Sequence, residues 1–336
     1  MNRNFWRGRP VFLTGASGLL GGWMLESLLS AEAEVIALVR DQVPHCIAVR
    51  DRLLERTTVV QGSLSDADLL RRTMAEYSID TVLHLGAQTL VGVAKRDPVS
   101  TLEANIRGTW NMLEAARQTG VKQFLFASSD KAYGASENLP YLETHAREGK
   151  YPYDVSKSCG DLLCGMYAAT YQLPVAVVRC GNLFGGGDLN FSRTIPGLVQ
   201  ATVRDEQFVI RSDGKFVRDF LYVKDAVEAY LLLAEKLSED RSLAGEAFNF
   251  SLEIRLTVLD LVHRVLRMMG REDLEPIIQN IASAEIREQY MSAEKARTRL
   301  GWKPKYGLDD GLVETIEWYR AFFQAPETVS VATATM

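Results

Sequence analysis

The sequence predicts an α/β protein built on a doubly wound parallel sheet, with a smaller C-terminal α/β lobe. Three observations carry this. Short β-branched runs alternate with helical patterns through about residue 180, a glycine-spaced turn joins the first strand to the first helix, and after residue 180 the alternation breaks. Strands separated by helices indicate βαβ units, whose right-handed crossovers give a parallel sheet buried on both faces. A length of 336 residues suits one large domain or two, and 47% apolar with 24% charged residues supports an ordinary core and excludes wholesale disorder.

Taken in order, Pro10–Thr14 (PVFLT) reads as a buried strand, Gly21–Ser30 as a helix and Glu34–Val39 (EVIALV) as the second strand. Thr57–Val60 is a short third strand, and Asp66–Tyr77 is a helix with Leu69, Leu70 and Met74 on one face. Thr81–Leu85 (TVLHL) is the fourth strand, Leu102–Thr119 a long helix, Gln123–Ala127 (QFLFA) the fifth strand, Tyr153–Tyr171 a helix and Val175–Arg179 (VAVVR) the sixth strand. Beyond the irregular Gly185-Gly186-Gly187 stretch come a helix at Val199–Val203 and a strand at Phe208–Ile210. They are followed by an amphipathic helix at Asp225–Leu237, a strand at Phe248–Ser251 and helices at Val258–Met269, Ala293–Leu300 and Leu308–Phe323. This divides the chain into residues 1–180, rejoined at about 215–240, a lobe at 181–325 and a flexible tail at 326–336.

The composition excludes several functions. A net charge of −5 argues against a nucleic-acid partner, and no apolar run approaches the roughly 18 residues needed to span a bilayer. The N-terminus runs straight into an apolar strand-like stretch with no signal-peptide core, and four free thiols fit a reducing cytoplasm. Cys46, Cys159, Cys164 and Cys180 form no CxxC pair, and with four histidines there is no template for a metal site. Free, buried thiols are the expectation, and His84, in a buried strand, reads as a core histidine with its hydrogen bonds made. Trp302 and Trp318 read as packing aromatics.

Thr14-Gly15-Ala16-Ser17-Gly18-Leu19-Leu20-Gly21 follows the first strand and opens the first helix, with GxxGxxG spacing. One glycine allows the tight turn, one lets backbone approach a pyrophosphate and one lets helix pack on strand, while the helix N-terminus presents free N–H groups to the phosphates. In this context the turn is a Rossmann dinucleotide fingerprint. The second strand ends Val39-Arg40-Asp41, which offers both a base for the 2′-phosphate of NADP and an acid for the ribose of NAD. Arg40 comes first and tips the reading slightly to NADP; a solvated Arg40–Asp41 pair that selects neither is the alternative.

Tyr153-Asp154-Val155-Ser156-Lys157 places a tyrosine and a lysine on one helix face at i and i+4. Lys157 there can lower the tyrosine pKa and bind the nicotinamide ribose, so that Tyr153 takes a hydroxyl proton as hydride leaves. Ser129, at the end of the fifth strand, supplies a hydroxyl to hold the substrate oxygen.

With these residues in view, the chain resembles the extended short-chain dehydrogenase/reductase family of nucleotide-sugar epimerases and dehydratases. The resemblance spans about residues 9–322 and rests on TGASGLLG (14–21), HLGAQ (84–88), NIRGTWNMLEAAR (105–117), SSDKAYG (128–134), YDVSK (153–157), VRCGNLFGGGD (178–188), RDFLYVKDA (218–226) and LGWKP (300–304). It implies a tightly retained, recycled NAD or NADP, a nucleotide-diphosphate sugar substrate, a cytoplasmic enzyme and a homodimer through paired helices that include Leu102–Thr119. The cofactor set it implies is Gly15, Ser17, Gly18, Leu19, Leu20, Gly21, Arg40, Asp41, Leu64, Leu85, Ala87, Tyr153 and Lys157. The substrate set is Gln88, Ser129, Asn182, Arg193, Arg218 and Arg287, with the arginines suited to diphosphate oxygens. Arg218, in RDFLYV, matches the family pattern well and Arg287 least. Gly62-Ser63-Leu64 lacks the adenine-contacting acid the family usually carries after the third strand.

These enzymes begin by oxidising the sugar at C4; a 4-epimerase then returns the hydride to the other face, whereas a 4,6-dehydratase also removes the C5 proton and expels the C6 hydroxyl, which takes a base and an acid. Ser129-Asp130-Lys131 resembles the S-D-K of CDP-glucose 4,6-dehydratases, where epimerases carry inert residues after the serine. The resemblance implies Tyr153 at the C4 hydroxyl, Lys131 as C5 base, Asp130 as C6 acid, and Ser129 and Lys157 in support, giving a 4-keto-6-deoxy sugar nucleotide for deoxysugar synthesis. A base lysine must be neutral and an acid aspartate protonated; burial favours both and a direct ion pair opposes both. Three alternatives remain: a surface Asp130–Lys131 pair, a nucleotide-sugar 4-epimerase, and a non-catalytic NADP-binding regulator. The intact Ser129, Tyr153 and Lys157 argue against the last.

Overall fold

A computed structural model describes residues 1–281 and 286–324; the expected tail at 326–336 lies outside the described residues. Seven parallel strands form the central sheet: β1 (Pro10–Thr14), β2 (Glu34–Val39), β3 (Thr58–Gln61), β4 (Thr81–His84), β5 (Gln123–Ala127), β6 (Val175–Cys180) and β7 (Ala247–Phe250). Their order is β7-β6-β5-β4-β1-β2-β3. The chain winds outward in both directions from β1 and β4, so these two strands flank the switch point, where open α/β sheets bind ligands beyond the strand ends.

Alternation within strands fills a core on each face. Val11, Leu13, Leu83, Leu125 and Val178 point into one, against helices α1 (Leu19–Ser30) and α6 (Val223–Glu239). Phe12, Val82, Phe124 and Val177 point into the other, against α2 (Ala67–Glu76), α3 (Gly108–Thr119) and α4 (Pro152–Tyr171). β4 and β6 are buried along their whole length, as their unbroken apolar runs require. The second lobe has its own core, with Phe184, Leu198, Leu261, Leu312 and Tyr319 drawn from α5 (Thr194–Val203), α7 (Val258–Met269), α8 (Leu308–Gln324) and short strands.

Several elements differ from the sequence reading. The strand assigned to Phe248–Ser251 is Ala247–Phe250, and it belongs to the central sheet, with Phe248 opposite Val178. The helix expected at Leu102–Thr119 is in three parts: a turn at Pro98–Leu102, a π-turn at Glu103–Arg107 and α3. The π-turn lets Asn105 Oδ1 accept from Gln88 N at 2.7 Å while its Nδ2 donates to Gln88 O at 3.0 Å and Ser156 Oγ at 2.9 Å. Residues 2–9, which follow no family pattern, carry a short helix whose Trp6 is fully buried, its Nε1 donating to Glu235 Oε1 at 2.7 Å. Trp302 packs edge-on against Phe250, and Trp318 stacks on Phe322 beside the glycine run, where a Cβ on Gly186 would lie 2.2 Å from the indole.

Candidate active site

Two loops meet at the switch point. Gly15 has φ +80°, and a Cβ there would lie 2.8 Å from Gly86 N; a Cβ on Gly21 would lie 1.9 Å from Gly15 O. These contacts require glycine at both positions, as the fingerprint demands. Gly18 caps α1 with no side-chain hydrogen bond, leaving first-turn N–H groups to a ligand. Thr14 Oγ1 accepts from Gly86 N at 2.9 Å and bonds His84 Nδ1 at 2.9 Å, while His84 Nε2 bonds Thr109 Oγ1 at 3.2 Å. His84 is a core histidine, with its pKa pushed down to about 3 by burial. This glycine cradle at an open helix N-terminus fits a dinucleotide pyrophosphate.

The other expected cofactor residues lie around the same sheet edge. Leu85 and Ala87 flank Gly86, and Leu19 and Leu20 pack against the second lobe's core. Ser17 lies in the glycine turn. Leu64 covers Gly108 and accepts from Asn111 Nδ2 through its carbonyl at 2.9 Å. Arg40 and Asp41 bind each other at 2.6 Å in the open. The solvated pair is therefore what the structure shows, and neither residue is set apart to read a 2′-phosphate.

The residues expected to carry the chemistry gather beyond β5. Ser129 has an extended backbone and opens a short turn over Asp130–Tyr133; its Oγ donates to Asp130 Oδ1 at 2.8 Å and accepts from Lys131 N at 3.2 Å. Asp130 is buried, and its Oδ2 has no hydrogen-bond partner among the described residues. Lys131 Nζ donates to Gln289 Oε1. The aspartate and lysine are thus held by different partners, Ser129 and Gln289.

Tyr153 and Lys157 sit one turn apart on α4, as the spacing predicts. Lys157 is buried and donates to Ala127 O at 2.7 Å, with Nζ 5.9 Å from the Tyr153 ring centre. Burial lowers the Lys157 pKa to about 8. Tyr153 is pushed up to about 12, chiefly by burial, with Asp130 and Asp154 adding to the rise and Arg193 and Ser129 opposing it. The expected lowering of Tyr153 by Lys157 is not what the structure shows: burial outweighs every group that favours the tyrosinate.

Gln88 is fixed through its backbone by Asn105, and its Oε1 accepts from Leu90 N at 3.1 Å. Asn182 N and Nδ2 donate to Asp219 O at 2.9 and 3.3 Å. Arg193 begins α5 and pairs with Asp188 at 2.9 Å. Arg218 is buried and donates to Val217 O at 2.9 Å and Arg287 O at 3.2 Å. Arg287 brings its backbone to this point, but its exposed side chain lies 3.8 Å from Asp213.

The sequence reading assigned no role to three buried groups. Asp154 follows Tyr153, and burial and Asp130 raise its pKa to about 6 against the pull of Lys131. Asp219 accepts from Ser251 Oγ and from Met291 N at 3.3 Å; burial raises it to about 7. Gln289 is the third. Both aspartates stood inside quoted motifs, YDVSK and RDFLYV, so the available signal was an acid at a position next to an assigned residue.

The fold, with its glycine cradle at the switch point of the sheet, fits a dinucleotide-dependent enzyme. The chain belongs to the NAD dependent epimerase/dehydratase family, whose model matches residues 11–250. It is 28% identical over 342 residues to a CDP-glucose 4,6-dehydratase of Salmonella typhimurium, covering 97% of this chain and 95% of that one. Among solved structures it is similar to the dTDP-glucose 4,6-dehydratase DesIV of Streptomyces venezuelae with NAD bound (TM-score 0.83, 25% identity, 93% of this chain and 97% of that one). It is equally similar to a UDP-glucose 4-epimerase of Thermotoga maritima with UDP-glucose (TM-score 0.84, 26% identity, 94% and 100%). The lean towards NADP finds no support in these relatives. No helix among the described residues is long and apolar enough to cross a membrane.

Proposed function

We propose that the chain is an NDP-hexose 4,6-dehydratase, most like the CDP-glucose enzymes, working with retained NAD. The observation that carries this reading is the Asp130–Lys131 turn beside Tyr153, in which the buried Asp130 accepts from Ser129 and the half-buried Lys131 donates to Gln289. An epimerase has no use for an acid and a base at that place.

Bound in the glycine cradle, NAD supplies the hydride acceptor for sugar C4 and later the donor for C6, so the overall reaction consumes no reductant. Ser129 holds the C4 oxygen and Tyr153 takes its proton, with Arg193 and Ser129 favouring the tyrosinate. Lys131 removes the C5 proton, made acidic by the neighbouring ketone. Asp130, buried close to the raised carboxyls of Asp154 and Asp219, gives its proton to the departing C6 hydroxyl. Lys157 orients the nicotinamide ribose, and Asn182, Arg193 and Arg218 receive the sugar and diphosphate. Exposed apolar side chains on the paired helices, Trp110, Leu162 and Met166, support a homodimer through α3 and α4. We place the enzyme in the cytoplasm, in deoxysugar synthesis.

The test is product mass after incubation with CDP-glucose, dTDP-glucose, UDP-glucose, GDP-mannose or UDP-glucuronate, with no added reductant. Loss of one water from any of them is the expected result and names the nucleotide. An isobaric product of altered retention defines an epimerase instead. The variant Lys131→Ala slows water loss by about 100-fold or more while C4 oxidation persists.

A further inference from the structure

Lys131 belongs to the turn after β5, but the group that receives its amine comes from the other end of the chain. Gln289 is fully buried and its Oε1 accepts from Lys131 Nζ across 158 positions of sequence. The segment that carries it is clamped on two sides. Gln289 N donates to Val217 O at 3.1 Å and Val217 N to Arg287 O at 3.0 Å; beyond it, Tyr141 N donates to Tyr290 O and Ser292 N to Tyr141 O, both at 3.0 Å. The backbone that carries the carboxamide is therefore anchored on both sides, and Lys131 donates to a side chain of that anchored segment.

Gln289 Nε2 is buried without a close hydrogen-bond partner among the described residues, and the carboxamide also favours the ionised form of the Tyr141 hydroxyl. Among the described residues, the ionisable groups around the turn include Asp130 itself, Tyr153 and Asp154 on α4, Tyr141, Arg193, Arg218 and Asp219. Three of them are carboxyls. A neutral acceptor adds no further negative charge beside an amine that must act without its proton, and a glutamate would.

We propose that Gln289 is the positioning residue of Lys131: its carboxamide oxygen aims the amine at the proton on sugar C5 without stabilising the ammonium. This rests on the dehydratase reading. It assigns Gln289 no contact with the reacting atoms.

The experiment compares wild type, Gln289→Met and Gln289→Glu as full-length protein loaded with NAD, with CDP-glucose as probe. Thermal melting checks that each variant is folded. Water loss is followed by mass spectrometry, and reduced nicotinamide by absorbance at about 340 nm. Gln289→Met, which keeps the length and loses the acceptor, is expected to slow water loss by about 10- to 100-fold while reduced nicotinamide still forms on mixing. Gln289→Glu is expected to move the acidic limb of the kcat/KM profile for water loss to higher pH by about one unit, since a carboxylate favours the ammonium. Wild-type rate and pH profile in both variants overturn the proposal and leave the dehydratase standing, as does a parallel fall of both signals, which marks a merely structural residue. A wild type that removes water from none of the five sugar nucleotides overturns the dehydratase reading and this proposal together.

Discussion

Beyond β1 the chain presents glycines and bare backbone N–H groups; beyond β5, on the same edge of the same sheet, it buries Asp130 and Asp154, half-buries Lys131 and draws in Asp219 and Gln289 from the second lobe. The first region is made for close approach. Its contacts leave no room for a Cβ, so its chemistry is that of the main chain and is indifferent to pH. The second region holds ionisable groups out of water, and burial moves Asp154, Asp219 and Lys157 towards their neutral forms. Affinity for a dinucleotide and proton traffic at a sugar thus rest on opposite devices, the removal of side chains and the burial of charged ones. The first gains rigidity and the second accepts a cost in stability.

The contrast breaks most completely at Gly21. Gly21→Val places a side chain on Gly15 O, with the first carbon already at 1.9 Å. NAD binding, measured by calorimetric titration, is expected to fall more than about 100-fold, with melting lowered at every pH alike, because strand and helix can no longer close on each other. At the other end, Tyr153→Phe removes one proton acceptor and no volume. Turnover is expected to fall by about 10²- to 10⁴-fold with the melting profile in place. Unchanged turnover would remove Tyr153 from the chemistry.

The smallest effect separates the two regions by pH. The Asp219 carboxyl is raised to about 7 in the fold, against about 3.9 unfolded, so the folded chain keeps a proton that the unfolded chain releases. Its contribution to stability is whole below pH 4 and is lost as the pH rises through 7. Asp219→Asn cannot ionise, so its stability relative to wild type is expected to climb by on the order of 4 kcal/mol between pH 4 and pH 8. Urea midpoints at several pH values check this, and a difference that does not change with pH would mean that Asp219 is ionised in the folded protein throughout. Asp154 moves the same way in both proteins and cancels.

What could be read in advance follows from how far apart the partners lie in sequence. The glycine turn and the Tyr153–Lys157 pair are local: strand, turn and helix sit within a dozen residues, and i, i+4 fixes a shared face. The order of the strands from β1 to β6 is nearly as simple, since every strand after β1 except β4 pairs with its predecessor. Gln289 lies in an irregular segment with no periodicity, and its meeting with Lys131 depends on Val217 and Tyr141 holding that segment in place. The raised carboxyls of Asp154 and Asp219 express burial by both lobes, which no spacing encodes. The same reason hid the partner of β7: a four-residue apolar run announces a strand and says nothing of which edge it joins. The π-turn was hidden because Asn105 is pulled out of register by Gln88 and Ser156, one 17 positions before it and the other 51 after.

The position of β7 bears on how the molecule is assembled. Ala247–Phe250 closes the edge of the sheet beside Val175–Cys180, and the chain lays down Asn182–Phe184, α5 and α6 between them. During synthesis the β6 edge therefore stands open while roughly the next seventy residues emerge, a span of several seconds at about 5–20 residues per second. An uncovered row of backbone donors and acceptors invites pairing with another chain. The nucleotide half consequently cannot be cut away as a self-sufficient piece at residue 180; its last strand comes late, and a nascent chain needs the product of its own second half before its first half is safe from aggregation.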